Sequence, residues 1–450
     1  MTDLTRSLLK QSLSIIYLPI QALQLNPRNP RLHSKRQIKQ IAQSIQRFGF
    51  NVPVLANSLN QVLVGHGRVL AAQLLGLTEV PVIRIEFLTD AQAQAFAIAD
   101  NRLQEHSSWD HQLLAEIFTE LAALELDFSL EDTGFSMGEI DLRIEGLSAV
   151  AEAGPDPADQ LPEPSSVPPV SALGDSWQLG RHRLLCGNAL EGISYEVLMQ
   201  GAPADIIFTD PPYNVRIDGH VSGKGRIHHR EFPMAVGEMS EAEFSDFLWR
   251  VCRLLTFHSR AGSIHYIFMD WRHAHELLVV GKRVYHELKN ICVWVKNNGG
   301  MGSLYRSQHE MIFVFKHGSA SHANNVQLGQ YGRYRTNVWN YPGANAFGRQ
   351  GEEGNWGAYH PTVKPVSMVA DAIMDCSARG DVVLDPFLGS GTTLIAAERV
   401  GRVCYGLELD PLYVDLAIRR WQRHSGDSAI HVATGERFDD RAAKAEVCHG

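Results

Sequence analysis

Asp381–Glu408 reads DVVLDPFLGSGTTLIAAERVGRVCYGLE, and this stretch decides the fold. Asp381–Asp385 is a short apolar strand, PFLGSGTT (Pro386–Thr393) a Gly-rich turn, LIAAERVG a helix, and Cys404–Glu408 a second strand. A strand–turn–helix–strand unit of this kind builds a parallel sheet with helices on its faces. Gly389 and Gly391 let a ligand approach the backbone at the helix start. Glu408 ends the second strand 23 residues after Asp385, the spacing at which an acidic side chain takes the ribose hydroxyls of a nucleoside. Thr392, Thr393 and Leu394 follow Gly391, so the third glycine of a dinucleotide fingerprint and the lysine of a P-loop are both missing. A nucleoside without phosphates remains, and S-adenosylmethionine is the common one.

Some 175 residues upstream, the apolar strand DIIFT (Asp205–Thr209) runs straight into Asp210-Pro211-Pro212-Tyr213-Asn214. Two consecutive prolines end ladder pairing and stiffen the backbone beyond the strand. That rigidity suits a site where the Asp210 carboxylate and the Pro211 carbonyl each accept a hydrogen from one amine, while Tyr213 offers a flat face to a planar base. A strand-ending turn with a solvated Asp is the rival reading of these residues alone. HPTVKP (His360–Pro365) stands just before the Asp381 strand.

DPPY, HPTVKP and DPFLGSGTT in this order closely resemble the beta class of DNA amino-methyltransferases, in which the catalytic motif precedes the cofactor motif. The resemblance spans about residues 175–432 and takes in LLCGNAL (Leu184–Leu190), SQHEMIFVFKHG (Ser307–Gly318) and AIRRW (Ala417–Trp421). It implies a Rossmann-like, S-adenosylmethionine-dependent methyltransferase domain. Asp210, Pro211, Pro212 and Tyr213 would hold the target base. Asp385, Phe387, Gly389, Gly391 and Thr392 would line the cofactor's methionine side and Glu408 its ribose. Thr362 and Lys364 would complete that pocket near the carboxylate, and Asn188 would bond its adenine in place of the family's usual Asp. Asp rather than Ser at position 210 favours adenine N6 over cytosine N4. No metal and no covalent intermediate are required, because a sulfonium methyl is already activated. Cytosine N4 methylation stays open as an alternative, as does a DNA-binding adaptor with a degenerate methyltransferase domain.

The net charge of -9 hides strong segregation. Residues 1–87 carry ten basic and three acidic side chains, residues 88–165 two and seventeen, and residues 216–349 seventeen and ten. The first and last of these blocks offer local positive surface to a polyanion. Within the last, KNNGGMGSLYRSQHE (Lys296–Glu310) and GQYGRYRTNVWNYPG (Gly329–Gly343) combine glycine turns with Arg306, Arg333, Arg335 and the aromatics Tyr305, Tyr331, Tyr334 and Trp339, candidates for DNA phosphates and base edges. His228, His229, His265, His273 and His275 lack Cys or carboxylate partners at ligand spacing, so no metal is expected.

Residues 1–150 alternate short strands and helices. QIKQIAQSIQRF (Gln37–Phe48) puts Ile38, Ile41, Ile45 and Phe48 on one helical face, and PVLAN and QVLVG pair through the Asn57–Asn60 turn. Gly65-His66-Gly67-Arg68 lies between strand and helix, either an anion-binding corner or a purely structural turn. NPRNPR (Asn26–Arg31), FGFNVPVL (Phe48–Leu55), VLVGHGRVLAA and IADNRL (Ile98–Leu103) resemble a ParB-like domain over about residues 15–110. That resemblance implies an α/β fold and leaves Arg28, Arg31 and Arg68 as candidate phosphate contacts only.

Residues 151–172 are proline-rich and read as an exposed, semi-rigid linker between a ParB-like domain with a helical extension and a methyltransferase domain at 173–435, followed by a polar tail at 436–450. On that reading, a chain beginning near Ser171 keeps cofactor binding and methyl transfer but binds DNA less tightly. No apolar run of ~20 residues or signal-peptide order is present, and the six cysteines form no CxxC pair. The expected setting is cytoplasmic, with double-stranded DNA as partner, no membrane, and a homodimer left open.

Overall fold

The structure, a computed structural model, describes residues 13–148, 156–162, 168–215, 237–297, 299, 304–330, 332–343 and 363–449. The chain divides into two compact units, residues 1–150 and 151–450.

In the first unit, strands β1 (Ile15–Pro19), β2 (Val54–Ala56), β3 (Val62–Val64) and β4 (Glu79–Arg84) form a sheet in the order β1-β4-β2-β3. β2 and β3 pair antiparallel, and β2 runs parallel to β4. Helix α1 (Lys35–Phe48) begins where the Ser34 side chain accepts from Gln37 N. Helix α2 (His66–Leu74) begins at Gly65, whose φ of 101° favours glycine. Helices α3 (Asp90–Gln104), α4 (His111–Ala122) and α5 (Met137–Ser148) follow. The last two share a small core of Leu114, Phe118, Leu130 and Ile140.

The second unit holds a ten-stranded sheet. Its strands are β5 (Ser176–Leu179), β6 (His182–Cys186), β7 (Ala204–Thr209), β8 (Ser259–Met269), β9 (Glu287–Val295), β10 (His309–Lys316), β11 (Val338–Asn340), β12 (Val382–Asp385), β13 (Val403–Glu408) and β14 (Ile430–His431). The order is β11-β9-β10-β8-β7-β12-β13-β6-β5-β14, with β8-β7-β12-β13-β6 parallel and β10 antiparallel to both neighbours. Central strands are apolar on both faces, as a sheet covered twice requires. Ile206, Phe208 and Val383 face one core with helices α9 (Val366–Asp375), α10 (Thr392–Arg399) and α11 (Pro411–Ser425). Ile207 and Leu384 face the other with α6 (Gly192–Met199), α7 (Glu241–Phe257) and α8 (Ala274–Val284).

Two expectations for this half are overturned. The polar tail is helix α12 (Phe438–His449), anchored by Phe438, which is wholly buried and stacks edge-on to Trp177 with centroids 5.3 Å apart. One aromatic anchor outweighs the polar composition around it. The described part of the proline-rich segment is no exposed linker either: Ala158, Asp159 and Leu161 are buried in the second unit. Asp156 receives a bidentate contact from Arg399 at 2.6 and 2.8 Å, and Asp415 accepts from Val170 N and Ser171 N at 2.7 and 3.0 Å. Prolines set the path, and carboxylates at both ends tie the segment down.

Candidate active site

Asp210, Asp385, Glu408 and Gly187 each stand at or just beyond the carboxyl end of a parallel strand, and those four strands are neighbours. One cleft, lined on its floor by Asp210–Tyr213 and by Pro386–Ser390, therefore receives both motifs. Gly187, Ala189, Glu408 and Tyr413 close its other side.

On the cofactor side the chain prepares its own backbone. Asp385 is 3% exposed and accepts from Thr209 Oγ1 at 2.8 Å, Thr393 Oγ1 at 2.6 Å and Phe387 N at 3.1 Å. Burial raises its carboxyl to about 6, with the hydroxyls opposing. Asp385 thus braces the turn, while Phe387, Gly389 and Thr392 border the cleft. Gly391 has φ 83°, and a Cβ there would lie 2.9 Å from the Ala417 Cβ, so the turn needs glycine both for its conformation and for its approach to α11. Glu408 accepts from Gly389 N and Asp410 N, both at 2.8 Å, and burial raises it to about 7. Asn188, between the cleft residues Gly187 and Ala189, is engaged in a local turn: its amide donates to Glu191 Oε1 at 3.1 Å and its oxygen accepts from Leu190 N at 3.0 Å.

On the base side the structure assembles a cluster that the sequence reading did not foresee. Lys364 Nζ donates to Asp210 Oδ2 at 2.6 Å and stands 2.9 Å from Glu310 Oε2. Lys296 Nζ donates to Glu310 Oε1 at 2.6 Å. The Tyr213 hydroxyl donates to Asp210 Oδ1 and lies 3.0 Å from Glu310 Oε2. Lys364 is thus bound to the Asp210 and Glu310 carboxylates at one end of the cleft, because two neighbouring acids largely removed from water demand a cation between them. Burial raises Asp210, with Lys364 pulling against it and Glu310 adding to the rise. Burial also opposes the Glu310 charge, but Lys364 and Lys296 outweigh it and hold that carboxyl at about 2. The same two acids hold the Lys364 ammonium above its ordinary value against the effect of burial. Topology explains the meeting: Glu310 begins β10, whose antiparallel run beside β8 brings its start to the carboxyl end of the sheet.

Asn214 fixes the end of the motif. It has φ 53°, donates to Met239 O at 2.8 Å, and accepts from Gly237 N and Met239 N at 3.1 and 3.2 Å.

The candidate DNA contacts divide. Arg333 is 6% exposed and donates to Asp375 Oδ1 at 2.6 Å, and Arg335 binds Asp375 Oδ2 at 3.1 Å and Asp371 Oδ2 at 3.2 Å. Both arginines neutralise a carboxylate pair one turn apart on α9 and are not available to phosphate. Arg68 donates to Pro53 O at 2.8 Å, and burial lowers its pKa, so it locks the Gly65 turn from within. Arg31 pairs with Glu105 at 2.7 Å. Arg306, Tyr305 and Tyr334 are exposed, whereas Trp339 is buried. Thr362, Tyr331, His228 and His229 lie outside the described residues. Among the described residues no cluster suited to a metal ion occurs, and no helix is long and apolar enough to cross a membrane.

A doubly covered parallel sheet, with a glycine-turn cleft and a half-buried Asp-Pro-Pro-Tyr motif on adjacent strand ends, has the layout in which open α/β folds bind their ligands. Residues 204–419 of this chain match the DNA methylase family model for N6 and N4 methylases, and residues 5–102 match the ParB N-terminal domain. Residues 112–173 match the ParB-methyltransferase helix-turn-helix domain. The chain is 42% identical over 86 residues to the ParB-like nuclease domain-containing protein YnaK of Escherichia coli (strain K12), covering 19% of this chain and 99% of that protein. It is 27% identical to the Type II methyltransferase M.HinfI of Haemophilus influenzae over 48% of this chain and 62% of that one. It is 26% identical to the Type II methyltransferase M2.MboI of Moraxella bovis over 52% and 85%.

Proposed function

We propose that the chain is a site-specific DNA adenine-N6 methyltransferase that uses S-adenosylmethionine and acts on a flipped-out adenine. The observation that carries this reading is the half-buried Asp210 carboxylate in the cleft, one strand away from the glycine turn and held by Lys364 and Tyr213. An exocyclic amine is a poor nucleophile because its lone pair is delocalised into the ring. Asp210 and the Pro211 carbonyl, each accepting one amine hydrogen, favour the geometry with a localised lone pair and stabilise the charge that develops there. The raised Asp210 carboxyl then suits the uptake of the proton that the methylated amine releases. Tyr213, its hydroxyl tied to both acids, presents its ring in one orientation for stacking. Bound S-adenosylmethionine supplies an already activated sulfonium methyl; Glu408 holds its ribose and the Gly389 turn borders its methionine side. Extruding the base costs a few kcal/mol, roughly, and the exposed Tyr305, Arg306 and Tyr334 are placed on this reading to contact the opened duplex. The N-terminal unit adds DNA affinity through its basic surface.

The test is expression of the chain in a methylation-free host and mass analysis of nucleosides from its DNA. N6-methyladenine is expected, and it should vanish with Asp210→Ala. N4-methylcytosine in its place would assign the alternative base, and unmodified DNA would defeat the enzymatic reading.

The arginines separate stability from DNA contact. Arg333→Ala is expected to lose about 3 kcal/mol of stability, since it leaves Asp375 buried without its closest cation, and to keep the salt dependence of DNA binding. Arg306→Ala should keep the melting temperature and reduce the slope of log affinity against log salt by about 1. Thermal melts and DNA titrations at several salt concentrations check both; a reduced slope for Arg333→Ala would return that residue to the DNA interface.

A further inference from the structure

We propose that the segment Asp156–Leu161 is a strap that positions the active site, with Asp159 acting as a positioning residue for Lys364. The inference rests on the methyltransferase reading above and extends it to residues outside the cleft.

Helix α9 starts at Val366, directly after Lys364 and Pro365. Its N-cap residue is Pro365, which has no side-chain acceptor, so the first N–H groups of the helix need a partner from elsewhere. Asp159 provides one: its Oδ1 accepts from Val366 N at 2.7 Å, across 207 positions of sequence. Asp159 is 7% exposed and Val366 wholly buried, so no solvent substitutes for this bond. The tie lies two residues from Lys364, whose ammonium must reach Asp210 and Glu310 together. The same strap meets the cofactor turn. Arg420 Nη2 donates to Ala158 O at 2.8 Å, while its Nη1 donates to Ser390 O at 3.1 Å and Thr392 Oγ1 at 3.0 Å. The bidentate Arg399–Asp156 pair holds the strap's start against α10. One six-residue piece thus fastens both the residue that holds the catalytic carboxylate and the arginine that holds the glycine turn. Chain connectivity makes it the path by which the N-terminal unit joins the catalytic one.

The experiment is a double-mutant cycle in the full-length chain, read as single-turnover methyl transfer at saturating DNA and cofactor. Asp159→Ala should slow transfer at least tenfold in the native background and less than twofold when Lys364→Met is already present. Asp159→Asn, which keeps the acceptor, should restore the rate to within threefold of the native enzyme. Asp159→Leu fills the same space without an acceptor, and should be folded and slowed at least tenfold, replacing Asp159→Ala in the cycle if the alanine variant unfolds. Equal losses in both backgrounds, or a native rate for either acceptor-free variant, would overturn the proposal. The native chain and Asp210→Ala run alongside: a native chain inert on DNA refutes the methyltransferase reading, whereas an active native chain with no Asp159–Lys364 coupling refutes only the strap.

Discussion

Lys364→Met should lower the methyl-transfer rate by about two to three orders of magnitude, the loss seen when a preorganised charge partner is removed from a reacting centre. The cause lies in what remains. Without the ammonium, Asp210 and Glu310 lose the cation between them while Lys296 still pairs with Glu310. The unsatisfied proton affinity therefore falls on Asp210, which burial already raises above the ordinary carboxylate range. The ionised form is the one that accepts amine hydrogens, so activity is present above the Asp210 pKa and lost as pH falls through it. Removing Lys364 raises that pKa, and the acidic limb of the pH–rate profile moves to higher pH. Single-turnover rates between about pH 5 and 9 measure this, with cofactor affinity as the control. A native acidic limb together with weakened cofactor binding would instead return Lys364 to the cofactor pocket.

A chain beginning at Ser171 should fail to give a stable, cofactor-binding domain, whereas one beginning at Ala151 should give both. The shorter chain lacks the Arg399 partner, the Val366 cap and the carbonyl that receives Arg420, and exposes the apolar surface covered by Ala158 and Leu161. Each buried polar group left unpaired costs about 1–3 kcal/mol, and the arginines more. Together these reach several kcal/mol, a large part of the roughly 5–15 kcal/mol that holds a domain folded. Thermal melts and isothermal titration with S-adenosylmethionine compare the two chains. A Ser171 chain with the melting temperature of the Ala151 chain would show that the strap contributes nothing to the fold.

The two motifs were legible because each is local. A strand, a turn and a helix start lie within a few residues of one another, and their glycines and prolines mark backbone conformations that the neighbouring sequence already dictates. Glu310 was within view, in SQHEMIFVFKHG, yet nothing in its neighbours distinguishes a buried acid from a solvated one. The two arginines of GRYR looked like phosphate ligands for the same reason. Composition shows a charge and not its partner, and Asp371 and Asp375 stand some 40 positions away. The proline-rich segment misled in the opposite direction. Its described residues form no strand, as the composition signals, but exposure does not follow when Asp156 and Asp159 find partners in the second unit.

The parallel α/β sheet, the order of the Asp-Pro-Pro-Tyr and glycine-turn motifs, and the ParB-like unit ahead of them could all be read from the sequence. The sheet follows from hydrophobic periodicity and from short-range conformational constraints, which act over a few bonds, and the two domain assignments from the resemblance their motifs carry. Only the tertiary structure decided which charges meet. Lys364 joins Asp210 across 154 positions, and Asp159 caps Val366 across 207. Desolvation and Coulomb attraction depend on distance through space and on burial, and neither is encoded in spacing along the chain. Neutrality of the buried cluster, two carboxylates against two ammonium groups, was settled only when β10, β9 and the start of α9 came to the same end of the sheet.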